Sequence, residues 1–297
     1  MTPQEYLQQV LKGQELPENG PERKQLSARR EAVEAILRTA FSEGKPTIRY
    51  GGSISKGTLI RENYDLDLIC YFPSDNDAAG ATLEQIYNNL RKTLELEYYV
   101  LPKSSALRLK DKSNPLIHED FHIDVVPGRY IDASKQDVFI YQNGADKNWL
   151  KTNLDVHIAH VKNSGLIDEI KIAKLWNERK QLRIKTFVLE LLVIKILKST
   201  KQQSLDKALL YFWETLRDKV GTVAVEDPAN PQGNDLSAYV TDSFKAQLSM
   251  NARMALEQIS KYGWENLFGP AVTSTSRERI QVIQSAPSVL RAKPWSH

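Results

Sequence analysis

Apolar side chains recur along this chain with two different periods. Between residues 22 and 42, Leu26, Val33, Ile36, Leu37, Ala40 and Phe41 return at helical spacing, with Arg and Glu between them. That spacing predicts an amphipathic helix. Glu43-Gly44-Lys45-Pro46 is a stop signal. A different pattern follows, in short apolar runs. Thr47-Ile48-Arg49-Tyr50 and residues 65–72 read as strands, residues 81–97 as a helix, and Ala106 to Leu109 and Phe121 to Pro127 as further strands. Pro127 and Gly128 are expected to end the last of them. Tyr98-Tyr99 is expected as a strand pair in the core, with stacking on a base as the alternative.

From Asp168 onward the helical period takes over. Ile170, Ala173, Leu175 and Trp176 mark one helix, with Trp176 expected in the core. Phe187 to Leu197 is apolar almost all round, which predicts a central helix buried on most sides. Residues 205–220 and 241–261 read as two more helices. The chain thus divides into a mixed α/β half and a helical half, with the change near residues 150–168. The expected units are 1–160 and 161–297. The tail after Gly269, with Pro270, Pro287 and Pro294, reads as loosely packed.

Composition narrows the picture. A chain of 297 residues, 41% hydrophobic and 26% charged, is long enough for one large domain or two fused lobes, each with its own core. The net charge of +3 fits a local basic groove better than a generally basic protein. Arg23-Lys24 and Arg29-Arg30 alternate with Glu22, Glu31 and Glu34, as on a solvated helix face, so no strong nucleic-acid footprint is visible. The single cysteine, Cys70, excludes an internal disulfide and a cysteine-rich zinc site. Of the histidines His118, His122, His157, His160 and His297, which could in principle bind a metal, His157 and His160 have i, i+3 spacing, but a third partner nearby in sequence is lacking. No leader and no membrane-spanning apolar run is seen, so the expected compartment is the cytoplasm, without membrane attachment.

The chemistry begins at Gly51-Gly52-Ser53-Ile54-Ser55-Lys56 and at the strand Asp65-Leu66-Asp67-Leu68-Ile69-Cys70. Asp is disfavoured in strands, and two carboxylates one residue apart share a face. They repel unless a hard divalent cation sits between them. Phe121-His122-Ile123-Asp124-Val125-Val126-Pro127 offers a third aspartate in another apolar strand. Three such carboxylates suit a two-metal site for phosphoryl transfer. Gly51 and Gly52 let the backbone approach a phosphate, Ser53 donates hydrogen bonds, a short helix after them presents amides, and Lys56 adds positive charge. Each of these features alone reads blandly: a turn, a cap, a salt-bridged core aspartate. Their joint order is far more specific.

These residues resemble a family. Gly52-Ser53 followed by Asp65-Leu66-Asp67 is similar to the signature of the polymerase β-like nucleotidyltransferases. More narrowly, the opening Gly-Gly-Ser-Ile-Ser-Lys-Gly-Thr resembles that of the oligoadenylate synthetases and of the bacterial cGAS/DncV-like nucleotidyltransferases, the CD-NTases. Ile172 to Asn177, Lys185 to Leu192, and the loop Glu226-Asp227-Pro228-Ala229-Asn230-Pro231 extend the likeness over most of residues 45–240. The resemblance implies an α+β, bilobal polymerase β-like fold, with a mixed-sheet N-terminal lobe and a helical C-terminal lobe. The helix at 22–42 is expected to run behind both lobes and tie them together.

The resemblance also implies roles. Asp65, Asp67 and Asp124 would bind two Mg²⁺ ions, for which Mn²⁺ could substitute, and Asp124 would help to activate the acceptor hydroxyl. Gly52, Ser53 and Lys174 would hold donor phosphates. Thr186 would touch the same phosphates, where serine or glutamine is more usual, and Asp227 would line the nucleotide pocket. The expected activity is synthesis of cyclic di- or trinucleotides from NTPs, ATP included, with release of pyrophosphate. The setting would be CBASS anti-phage defence, with an effector protein reached through the product, a regulatory protein, and a monomeric enzyme. The alternatives are a linear oligonucleotide synthetase, an RNA-tailing nucleotidyltransferase, an enzyme that modifies a small molecule or protein, or a binding module with a degenerate site.

Overall fold

The computed structural model describes residues 1–112, 122–145, 147–199, 203–234, 236 and 239–271. His118, Phe121 and the tail with Pro287, Pro294 and His297 lie outside the described residues.

The N-terminal half is built on a seven-stranded mixed sheet: β1 (Thr47–Tyr50), β2 (Leu66–Phe72), β3 (Tyr98–Pro102), β4 (Leu107–Asp111), β5 (Ile123–Tyr130), β6 (Val138–Tyr141) and β7 (Trp149–Thr152). The order β1-β2-β5-β4-β3 forms the main path, with β6 and β7 continuing from the far half of β5. Only β2 and β5 pair in parallel. They are the two strands whose apolar runs contain aspartates.

Contrary to expectation, Pro127 and Gly128 do not end β5. Pro127 lies where the strand changes neighbours, after its pairing with β4 (Leu107 opposite Val125) and before its pairing with β6 (Gly128 opposite Ile140). A missing N–H is tolerated at such a change. Gly128 is required by packing, because a Cβ there would come within 2.7 Å of Val138. In β3, Tyr99 is exposed, so the Tyr98-Tyr99 pair is not a core pair.

Two helices cover one face of the sheet, α2 (Pro21–Ala40) and α4 (Leu83–Glu95). Leu26, Val33 and Leu37 of α2 share a core with Ile86, Leu90 and Leu94 of α4 and with Leu66, Leu68, Cys70 and Phe72 of β2. The second core belongs to the helical half: α5 (Leu154–Lys162), α6 (Ile167–Arg179), α7 (Thr186–Leu197), α8 (Leu205–Lys219), α9 (Asp242–Tyr262) and α10 (Trp264–Phe268). Trp213 lies at its centre, with Trp176 and Trp264 rings 5.8 and 5.7 Å away.

The helix before them, α1 (Pro3–Gln14), is started by a capping box of Thr2 and Glu5. Its Tyr6, Leu7, Val10 and Leu11 pack into the helical core. This corrects the expected role of the helix at 22–42. All the buried side chains of α2 face the sheet core; the tie between lobes is the pair α1 and α2, broken at Pro17 and Gly20. Among the described residues, no helix is long and apolar enough to cross a membrane.

Candidate active site

The parallel pairing of β2 and β5 sets Asp67 directly opposite Asp124. Residues opposite each other in register share a face, so the two carboxylates stand side by side. Asp65 ends the loop just before β2. Asp67 lies at the bottom of the cleft, hemmed in by protein. Burial first, then the negative charges of Asp124 and Asp65, pushes its carboxyl up to about 7.

The Gly-Ser turn is fitted to this carboxylate. The N–H of Gly51 donates to the carbonyl of Asp67 at 2.8 Å. Gly52 has φ of +50°, and a Cβ on it would fall 1.6 Å from Asp67 Oδ2. Only glycine meets both demands. A single turn, α3 (Gly52–Lys56), follows, closed by Gly57 in the left-handed region.

Lys174 arrives from the other lobe. From α6 it donates to Ser53 Oγ and to the carbonyl of Thr58, both at 2.8 Å. Burial holds it down to about 8, against the opposing charge of Glu190. A buried lysine aimed at the Gly-Ser turn is a cation with an incomplete anion, which suits a triphosphate.

Thr186 is the first residue of α7, just after the N-cap Lys185. With Gly52, Ser53, Asp65, Asp67, Lys174 and Phe187 it lines a cleft of about 210 Å³ between the lobes. Asp227 is not among the residues lining that cleft. One of its carboxylate oxygens accepts from His157 Nε2 at 2.6 Å and from the Ala229 amide, the other from Asn234 at 2.6 Å. Burial works against its charge, but these bonds prevail and hold its pKa below the ordinary value. It reaches the cleft only indirectly, because the His157 ring lies 4.9 Å from the ring of Phe187.

Lys56 lines the same cleft, and its positive charge acts on Asp67. Its ammonium pairs at 2.7 Å with Glu190 of α7, a fully buried carboxylate that also accepts from Thr58 Oγ1 at 2.8 Å. Its charge is thus already matched, and Lys174 is the cation turned toward Ser53.

Sequence reasoning missed Glu190, Arg108 and His122 as parts of the site. Arg108 of β4 stands opposite Asp124 and donates to both its oxygens, at 2.9 and 2.8 Å. His122 Nε2 lies 3.1 Å from Asp65 and 3.7 Å from Asp124. Among the described residues, no three His, Cys, Asp or Glu side chains gather around one cation position. The donor set nonetheless fits a hard divalent ion: all oxygen, mutually repelling, and beside a turn that leaves room for phosphate.

A parallel pair of aspartate strands, a Gly-Ser turn and a helical lobe reaching over the cleft define a polymerase β-like nucleotidyltransferase. Residues 1–164 match the family described as the Second Messenger Oligonucleotide or Dinucleotide Synthetase domain, and the chain belongs to that family, the CD-NTases. The fold is shared with Vibrio cholerae DncV cyclic AMP-GMP synthase, at TM-score 0.72 and 16% identity, over 92% of this chain and 97% of that one. E. coli CdnC, solved as a complex with HORMA-deltaN, aligns at TM-score 0.66 and 19% identity, over 92% and 99%. Elizabethkingia meningoseptica CdnE cyclic dinucleotide synthase, solved with GTP and Apcpp, aligns at TM-score 0.64 and 13% identity, over 87% and 99%. No curated protein matches the sequence.

Proposed function

We propose that the protein joins nucleoside triphosphates, ATP among them, into a cyclic di- or trinucleotide and releases pyrophosphate. In this reading it is the signal-producing enzyme of a CBASS-type anti-phage system in the bacterial cytoplasm, acting on an effector protein through its product. The observation that carries the reading is the bond from Lys174 to Ser53, which joins the two lobes beside Asp65 and Asp67 in one cleft.

The donor triphosphate lies along the Gly52-Ser53 turn. Ser53 gives hydrogen bonds and Lys174 gives charge, exchanging its present bond to Ser53 for phosphate oxygens. Thr186 adds its hydroxyl. Two divalent ions, Mg²⁺ or in its place Mn²⁺, held by Asp65, Asp67 and Asp124, would supply positive charge to the reacting phosphate and to the departing pyrophosphate. An acceptor ribose hydroxyl approaches from the β5 side, where Asp124 accepts its proton. Its oxygen bonds to the α-phosphorus as the bond to pyrophosphate breaks. Rigid placement on two adjacent strands supplies most of the acceleration. A second transfer within the linear intermediate closes the ring. CdnC is solved with a HORMA protein. On that likeness we extend the reading to a regulatory protein acting on this enzyme, itself a monomer.

The test is incubation of the purified protein with Mg²⁺ or Mn²⁺ and labelled NTPs, singly and mixed, followed by phosphatase and mass spectrometry. The Asp65→Asn/Asp67→Asn variant is the control. A phosphatase-resistant oligonucleotide made only by the wild type supports the reading. A linear, phosphatase-sensitive product would replace it with an oligonucleotide synthetase, and extension of added RNA with a tailing enzyme.

A further inference from the structure

Asp124 is expected to hold metal, yet both its oxygens are taken. The fork from Arg108 Nε and Nη2, at 2.9 and 2.8 Å, uses the carboxylate edge that a cation would need. The registers explain the geometry. Arg108 faces Asp124 across β4 and β5, and Asp124 faces Asp67 across β5 and β2, so the three form one row over three neighbouring strands. The oxygen that accepts from Arg108 Nη2 also lies 3.7 Å from His122 Nε2, beside Asp65, so the guanidinium occupies a carboxylate that borders the shared site.

We propose that Arg108 is an exchangeable partner of Asp124, which keeps the third carboxylate from metal until metal and nucleotide arrive together. The inference rests on the metal-dependent reading given above. Among the three clustered carboxylates, Asp124 is paired with Arg108, and the His122 ring lies 3.1 Å from Asp65. Metal alone must break a bidentate, charge-assisted pair to complete its ligand set. A triphosphate changes the balance. It brings oxygen ligands of its own and negative charge that competes for the guanidinium. The Arg108 side chain is 27% exposed and that of Asp124 15%. The pair is sheltered enough to be firm, while the guanidinium still has an open side to swing into. Metal and nucleotide therefore bind cooperatively, and the coupling is reciprocal.

The test is Mn²⁺ titration followed by electron paramagnetic resonance, with and without an α,β-methylene ATP analogue, on wild type, Arg108→Gln, Arg108→Lys and Asp124→Asn. In the wild type the analogue should tighten Mn²⁺ binding strongly. Arg108→Gln should bind Mn²⁺ alone about tenfold more tightly than wild type, because the fork is gone, and should gain little from the analogue. Arg108→Lys, which keeps the charge and loses the fork, should fall between the two, and it decides the matter if the glutamine variant does not fold. Equal Mn²⁺ affinity for wild type and both Arg108 variants, with binding lost in Asp124→Asn, would overturn the role of Arg108 and leave the metal site standing. Absence of Mn²⁺ binding even with the analogue would overturn the metal reading and this inference with it.

Discussion

Asp67 sits where a carboxylate is costly, and that cost is testable apart from catalysis. Burial and two like charges push its carboxyl up to about 7. Asp67→Asn removes the charge and keeps the shape. Nucleotidyl transfer should fall by roughly a thousandfold or more. The melting temperature in EDTA at pH 8 should rise, because repulsion is relieved. A fall there would mean that Asp67 is a structural anchor and not a strained functional group. Gly52→Ala should fail on both counts, since its Cβ would overlap Asp67 Oδ2 and its φ of +50° is strained for alanine. A loss of about 2 kcal/mol or more in denaturant unfolding, together with loss of transfer, is expected.

Lys174 predicts a pH dependence with two signs. Its pKa in the nucleotide-free protein is lowered to about 8, mainly by burial. Bound triphosphate favours the charged form, so nucleotide binding takes up a proton near and above pH 8. Nucleotide affinity should therefore weaken as pH rises from 7 to 9. Calorimetry in buffers of different ionisation heat should show the proton uptake. Folding stability moves the other way. The unfolded lysine keeps its proton to about pH 10, so above pH 8 the unfolded state binds more protons, and this group favours the fold increasingly as pH rises. Nucleotide affinity that is flat across this range would mean that Lys174 is not the phosphate cation.

At the scale of elements, α7 carries one fully buried charge, Glu190, among apolar neighbours. Glu190 accepts from Lys56 and Thr58 of the Gly-Ser segment. Replacing it with Leu should cost about 3–5 kcal/mol, because Lys56 is left buried and unpaired. The double variant Lys56→Met/Glu190→Leu should recover most of that loss, as a double-mutant cycle in denaturant would measure. Additive losses would show that the two residues do not act as a pair.

The same helix shows what was legible beforehand. Its apolar period announced a central helix, and the odd carboxylate in it was the same kind of signal as Asp67 in β2. What could not be read was its partner, because Lys56 and Glu190 are far apart in the chain and local periodicity says nothing about distant pairs. Arg108 escaped for the same reason. Leu107-Arg108-Leu109 alternates like any half-buried strand, and only the register with β5 sets it against Asp124. Asp65, Asp67 and the Gly-Ser turn were legible because they lie close together in sequence and each violates a local preference. The short β6, β7 and α10 were missed because so few residues show little period. Helix α1 was missed although its capping box stands in the sequence. Asp227 was placed at the nucleotide by resemblance, whereas its bonds turn it into its own loop and onto His157.

Over the whole molecule, the helical core and the core between the sheet and its two helices meet through a short piece of chain. Residues 53–63, between the Gly-Ser turn and Asp65, supply much of what crosses. Ser53 and Thr58 hold Lys174, Lys56 holds Glu190, and Ile60 is buried in the helical core. Glu62 bonds to Gln14 of α1 and to Arg179 of α6, and Asn63 to Glu178. Asp65, Asp67 and Lys174 are therefore aligned by the packing of a core to which none of them belongs. Leu7 of α1 is fully buried in that core. Leu7→Asp should destabilise the helical lobe by about 3 kcal/mol or more, through an unpaired buried charge. Hydrogen exchange should then speed up in α6 and α7, while β2 and β5 keep their protection. Transfer should fall with it, because Lys174 loses its fixed position over Ser53, and the affinity for triphosphate should fall in parallel. If α6 and α7 keep full protection and transfer is undiminished, α1 is a passive cover and the alignment of the cleft belongs to residues 53–63 alone.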